Sequence, residues 1–595
     1  MLAEKVAAGE LPPVEERLPK EPLIVEPIYE VGQYCDTIRR ANTTSADIGD
    51  WFTQVREGFT RWDYTTGQIR TIPNIAKSWD IEDNGATYVF HLREGMKWSD
   101  GEPFTADDIM FWYEDMALNK ELNPVFPSWL MVGGEPPVVE KIDDYTVKFT
   151  FAKPYGLLLE YTAFRGSEMI APKHYLSQFH PSYVEKAELD KRVAEAKFEH
   201  WYQLLANRNS AYNNKDLPVL LPWKVEVTPD QGRLVAHRNP YYWKVDTAGN
   251  QLPYFDRFVA EIAQEQQAVL MKTVAGEVDY QYRHMGFANY SFLTENEERG
   301  NYTVLQWTGG SLPTIYVNHS VKDLELRKLF QDVRFKQALS LGMNRPEMID
   351  LFWNGIGEPM NAVSRPGGLY WKEGYGKNCV EYDPDRANAL LDEIGLDQRD
   401  SEGYRLRPDG KRLQFLMENY PAELGAPAYD IFSQVATYWQ ELGLDARAKE
   451  IERSLWSQRA LGNEIDMPAY GIDEIQWTLA PSVYVPYGTS YWAPGFAPWA
   501  LNPEAGEEPP DDIKQLITWY EELKAEPDPA KREELGHKIL DQHNERIYII
   551  GTVLVGILPM IRHNTMMNVM EKAVGDWCTL HESISWPFQM WRKEA

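Results

Sequence analysis

Cysteine is scarce in this chain: Cys35, Cys379 and Cys578 are the only three among 595 residues. They lie too far apart for a local metal motif, and an odd number leaves one thiol unpaired, so no disulfide framework is implied. Long apolar runs are missing too. No stretch approaches the ~20 apolar residues that span a bilayer, and the mean hydropathy is −0.49, which argues against a helical membrane protein. Basic residues are outnumbered, 60 Lys and Arg against 90 Asp and Glu, for a net charge of −30. Nucleic-acid binding draws on Lys and Arg contacts to phosphate, so DNA and RNA are set aside as partners. The HExxH, CxxC and GK[ST] triplets are absent, which removes common signatures of zinc proteases, thiol redox proteins and P-loop enzymes. The 11 histidines are scattered, so neither a metal nor a cofactor is expected. The opening MLAEKVAAGELPPVEERLPKEP is neither basic nor apolar enough for a signal peptide. If the protein is exported, the expectation is that its signal has been removed.

What is present reads as a folded α/β protein. With 43% hydrophobic and 25% charged residues, the chain has the balance of a globular protein, and its length exceeds one hydrophobic core, so at least two lobes are expected. Residues 1–27, rich in Glu, Lys and Pro, read as an extended or loosely packed arm. Asp83-Asn84-Gly85 supplies a turn into an alternating strand of Tyr88, Phe90 and Leu92. Thr105, with Asp108 three residues on, opens a helix that carries Ile109, Trp112, Tyr113 and Met116 at helical spacing. Thr146 to Phe151 alternates as a half-buried strand. Helices closed by Gly395 and Gly443 follow, and Leu479 to Pro503, rich in proline and aromatics, reads as a long loop.

The stretch LREGMKWSDGEPFTADD, Leu92 to Asp108, resembles the signature of the family 5 solute-binding proteins of ABC transporters, which runs approximately L-R-x-G-x-x-(W/F)-x-D-G-x-x-(F/L)-T-A-x-D. The resemblance continues in family order through Asn239-Pro240-Tyr241-Tyr242-Trp243, Gly276-Glu277-Val278-Asp279, Asp332 to Leu339 and Tyr438 to Gly443. It implies a two-lobed periplasmic-binding-protein-like α/β fold with an extra inserted domain and a ligand cleft between the lobes. By that analogy the first, discontinuous lobe takes residues 28–62, 186–307 and 554–595, the inserted domain 63–185 and the second lobe 308–553. The implied function is capture of a solute and delivery to the membrane permease subunits of a bacterial ABC importer. The implied place is the periplasm or the outer face of the cytoplasmic membrane, and a monomer is expected.

The same resemblance points to ligand-binding candidates. Relatives carry Gly-Gly-Thr near the end of the first strand, where this chain has Cys35-Asp36-Thr37; Asp36 either meets a polar or cationic ligand group or is a solvated turn residue. Gln476 to Pro481 resembles the Trp-x-x-Asp segment of oligopeptide binders, whose Asp meets the peptide amine. Here Ala480 takes that position, which leaves Asp473 or Asp36 as a substitute, and Trp477 is expected to be a platform for ligand. Tyr484, Tyr487 and Trp492 follow, either as ligand platforms or as residues packing the loop. An oligosaccharide or small polar non-peptide solute is therefore the expected ligand, with an oligopeptide as the alternative. A glycoside-acting enzyme is a remote third reading, since no acidic pair sits in a motif that demands catalysis.

Overall fold

A computed structural model describes residues 2–48, 55–422 and 424–593. The signature stretch is a scaffold. Thr105 caps the helix Ala106–Met110 in a reciprocal box: its side chain accepts from the Asp107 amide, and Asp108 Oδ2 accepts from the Thr105 amide at 3.0 Å. Asp108 also takes the Trp98 indole N–H at 3.3 Å and the Lys173 amide at 3.0 Å, so one buried carboxylate fastens the Gly turn, the helix and a later segment together. The positive φ angles of Gly95 (+84°) and Gly101 (+97°) explain the two glycines of the motif.

The strand leading into this motif, Thr87–Leu92, lies inside an antiparallel sheet ordered Ala76–Glu82, Thr87–Leu92, Thr146–Thr150, Val138–Asp143. The expected turn is there, with Asn84 at φ 54° and Gly85 at φ 90°. Phe59, Phe90 and Phe149 meet on one face of this sheet and begin a core that runs on into the first lobe.

The first lobe is built on a mixed sheet in which Phe255–Ile262 pairs in parallel with Cys35–Asn42 and antiparallel with Arg233–Arg238, which pairs in turn with Trp223–Val227. The second lobe has a five-stranded sheet. Gln414–Asn419 pairs in parallel with Asp445–Glu450 and Met467–Ile472, while Leu312–Tyr316 runs antiparallel to Met467–Ile472 and Ile549–Gly551. Helices such as Ala428–Glu441, whose Ile431, Val435 and Trp439 are fully buried, cover it and form a separate core.

The chain crosses between the lobes twice. Tyr302–Thr308 passes through Gly309-Gly310 into Leu312–Tyr316, and Val553–Leu554 passes through Gly556 into Ile557–His563. Tyr302–Thr308 and Ile557–His563 pair antiparallel over their whole length, and the Gly309 amide donates to Gly556 O at 3.3 Å where they part. Gly310 (φ +84°) and Gly556 (φ +72°) occupy a region that favours glycine.

The N-terminal arm departs from expectation. Val14–Arg17 is a helical turn, Leu23–Val25 pairs in parallel with Lys244–Asp246, and Arg17 is buried, donating to Gln251 Oε1 at 2.8 Å. Its few apolar residues gave no period, but a buried guanidinium and one added strand are enough to hold it. None of the three cysteines is in a disulfide.

Candidate functional site

Three adjoining cavities lie where the first lobe, the inserted domain and the second lobe meet. One of about 470 Å³ has Tyr282, Arg283 and His284 on the first lobe facing Tyr420, Arg453, Tyr470 and Asp473 on the second. A second, of about 250 Å³, shares Tyr420, Arg453 and Tyr470 and runs deeper toward Glu474 and Tyr491. A third, of about 410 Å³, shares Ser482 with the second and is walled by Trp129, Tyr161 and Arg165 of the inserted domain, by Tyr487, and by Trp577. Each volume is of the order that small-molecule sites occupy, ~300–1,000 Å³.

The cleft sits beyond the carboxyl ends of strands, where open α/β sheets place ligands. Tyr420 follows Gln414–Asn419, Asp473 follows Met467–Ile472, and Tyr282 follows Tyr280–Gln281. The carboxyl end of the first-lobe strand Cys35–Asn42 reaches the same place: Thr43 Oγ1 lies 3.5 Å from His284 Nε2, and Asp47 receives Arg283 at 2.7 Å.

Cys35 and Asp36 lie elsewhere. They occupy the amino end of that strand, seven residue steps or ~23 Å from its carboxyl end at ~3.3 Å per residue. Asp36 is exposed and paired with Arg257 at 2.7 Å, and Cys35 Sγ accepts the Arg592 amide at 3.0 Å.

Trp477, Tyr484 and Trp492 are buried and line none of these three cavities. Trp477 is 0% exposed, donates its indole N–H to Leu369 O at 3.2 Å, and meets Tyr370 and Tyr484 edge-on. Trp492 is 0% exposed, donates to Val483 O at 3.0 Å, and lies against Tyr548 and His543. A large ring in an aperiodic segment buries its own loop, and burial has no sequence period there. Asp473 and Tyr487 do line the cleft, as does Ala480. Tyr487 takes Lys524 Nζ on its hydroxyl at 2.8 Å.

The aromatic walls come from residues that the sequence did not single out. Tyr420 and Tyr470 stack with centroids 4.7 Å apart at 29°. Tyr282 and His581 lie 4.9 Å apart at 31°, and Trp129 and Tyr161 stack at 5.6 Å and 23°. Trp129 carries a buried indole N–H with no partner, a donor left free at the third cavity. The signal that was available is position: Tyr420 and Tyr282 immediately follow strand ends, and Trp129 follows Pro127 in a loop.

Carboxyls gather where the lobes join. Asp576 Oδ1 of the first lobe accepts the Ile475 amide of the second at 2.5 Å, and Arg365 donates to Asp473 O at 2.7 Å and to Gly310 O at the crossing. Burial, and then the neighbouring Asp473 charge, push Glu474 up to about 8; burial raises Asp576 to about 7. Among the described residues no group of three or more His, Cys, Asp or Glu is arranged to hold a metal ion, and no helix is long and apolar enough to cross a membrane.

The model of the bacterial extracellular solute-binding proteins, family 5 Middle, matches residues 70–493. A periplasmic alpha-galactoside-binding protein of Rhizobium meliloti (strain 1021) is 29% identical over 445 residues, 68% of this chain and 60% of that protein. The chain thus spans three fifths of that relative's length. Among solved structures, the oligopeptide-binding protein OppA is 37% identical with a TM-score of 0.78, covering 100% of this chain and 96% of that one. The periplasmic binding protein MelB of Agrobacterium fabrum C58, in complex with stachyose, superposes with a TM-score of 0.74 at 22% identity, over 100% of this chain and 90% of its own. That last likeness is one of fold: two lobes about a cleft.

Proposed function

The chain belongs to the bacterial extracellular solute-binding proteins of family 5, and from that membership we propose that it is the substrate-binding component of an ABC importer. Proteins of this family are transport binding proteins and not enzymes. It captures a solute between its lobes, as a monomer, and hands it to the permease subunits on the outer side of the cytoplasmic membrane. The division into residues 28–62, 186–307 and 554–595, the insertion 63–185 and the second lobe 308–553 is part of this reading. It is supported by the separate sheets each part contributes.

The ligand we assign is an oligosaccharide. The observation that carries it is the aromatic pair in each end cavity of the cleft, Tyr282 with His581 and Trp129 with Tyr161, and the stacked Tyr420 and Tyr470 between them. Such rings offer flat apolar faces with polar edges, and covering ~100 Å² of ligand contributes roughly 2.5 kcal/mol. The alpha-galactoside-binding relative supports the same class. An oligopeptide is the second reading. It is favoured by the Asp473 and Glu474 carboxyls at the cleft wall and by the likeness to a protein named as oligopeptide-binding.

Native mass spectrometry of the purified protein, followed by calorimetry with stachyose and with tri- and tetrapeptides, tests the assignment. Saturable heat with the saccharide and none with the peptides is expected. Submicromolar peptide binding that N-acetylation abolishes would replace the saccharide with a peptide.

A further inference from the structure

A partly open cavity of about 40 Å³ shares no wall residue with the cleft. It lies where the strand Thr60–Asp63 meets Lys244 and the C-terminal segment Thr579 to Phe588. Its wall is crowded with donors that have nothing to donate to. Arg61 Nε and Nη1, Trp62 Nε1 and Ser583 Oγ are all buried without a hydrogen-bond partner. The Arg61 guanidinium is clamped 4.0 Å over the Trp586 ring and 5.6 Å from that of Phe588, so it is held in place without an acceptor.

Charge in the wall is unbalanced in the same sense. Arg61 and Lys244 face the cavity, Glu57 is the only carboxylate among the described wall residues, and Arg56, also in the wall, pairs with Glu168 at 3.8 Å. Glu57 is already committed. One oxygen accepts from the Tyr242 hydroxyl at 2.6 Å, and the other from Lys244 Nζ and Asn74 Nδ2, each at 2.8 Å. Buried cations and N–H groups without acceptors are expensive, and among the described residues no side chain satisfies the Arg61, Trp62 and Ser583 donors.

The space has room for about three water-sized particles, and so for a small ion with water beside it. A water would bring two hydrogens that need acceptors into a wall whose carboxylate already takes three hydrogen bonds. A halide brings acceptor capacity alone, in every direction. We propose that this cavity is a structural site for one small monovalent anion of the chloride class, held by Arg61, Trp62 and Ser583, which ties the C-terminal segment to the first lobe.

The test uses the full chain at constant ionic strength, with chloride exchanged for gluconate, which cannot enter. Thermal midpoints are expected to rise saturably with chloride, and crystals grown in bromide should show an anomalous peak among Arg61, Trp62 and Ser583. Ser583→Ala removes one hydrogen bond to the ion and should weaken its apparent affinity about tenfold. Arg61→Met should abolish the chloride dependence; if that variant does not fold, Ser583→Ala and the bromide crystals decide. Equal midpoints in chloride and gluconate, a bromide crystal with no anomalous peak there, or wild-type halide affinity in Ser583→Ala would overturn the assignment.

Discussion

Replacing Trp477 by alanine separates packing from ligand contact. The indole is 0% exposed, bonded through Nε1 to Leu369 O and wedged between Tyr370 and Tyr484. Truncation therefore removes a full core side chain and one of the two hydrogen bonds to Leu369 O, which keeps the Ser364 hydroxyl at 2.9 Å, a loss of about 3–5 kcal/mol. For a cooperative unit of ~200 residues, each kcal/mol moves the midpoint by ~2–4 °C, so the ligand-free variant should melt about 6–20 °C below wild type. Trp129→Ala is the matched control. Its ring is half-buried in the cleft, stacked on Tyr161 with a free indole N–H. Ligand-free Trp129→Ala should melt within a few degrees of wild type, while saccharide affinity falls ~10-fold or more, each factor of ten being about 1.4 kcal/mol. Denaturant titration without ligand and calorimetry with stachyose read the two quantities separately. A Trp477→Ala variant that unfolds like wild type yet loses the saccharide would refute the placement of this residue in the core.

Asp576 sits near pH 7 in the folded state, well above an unfolded aspartate at ~3.9. The folded chain therefore holds the extra proton, stability falls as pH rises through about 7, and Asp576 accounts for about 1.4 kcal/mol lost between ~pH 6 and ~pH 8. Asp576→Asn, which keeps an oxygen for the Ile475 amide, should flatten that part of a urea-denaturation profile. Gly556→Ala meets no atom within 4 Å but must hold φ +72°, so a cost of about 1–2 kcal/mol and a smaller ligand-induced fall in the radius of gyration by scattering are expected. Arg17→Ala removes the buried anchor to Gln251 and should expose the first 22 residues to trypsin while leaving saccharide affinity unchanged, as limited proteolysis and calorimetry will show.

Local signals were legible wherever the physics is local. The turn at Asn84-Gly85, the capping box of Thr105 and Asp108 and the alternation of Tyr88, Phe90 and Leu92 each depend on residues within a few positions, and each stands as read. The cleft depends on residues that meet only through the fold. Trp129, Tyr282, Tyr420, Tyr470 and Trp577 come from distant segments, so no spacing links them. Cys35 and Asp36 are a different case, because a strand read without its direction leaves either end eligible. Trp477 shows a third limit. An aromatic residue in an irregular segment has the same sequence context whether its ring faces solute or its own loop, and three-dimensional closure of that loop decides.

The antiparallel pair Tyr302–Thr308 and Ile557–His563 also governs the order in which the molecule is completed during synthesis. The two strands are neighbours in one sheet, yet the entire second lobe is threaded between them. A nascent chain that has emerged only through the first partner leaves that strand and Tyr280–Gln281 with bare edges, since Ile557–His563 stands between them. The second lobe must become compact first and bring its own ends together. Once it has done so, its folded body replaces a long flexible tether, and joining the pair costs little more than closing a hairpin. A strand made late in synthesis is thus the one that seals this sheet of the first lobe, so chains broken off before it carry a finished module attached to an unfinished one.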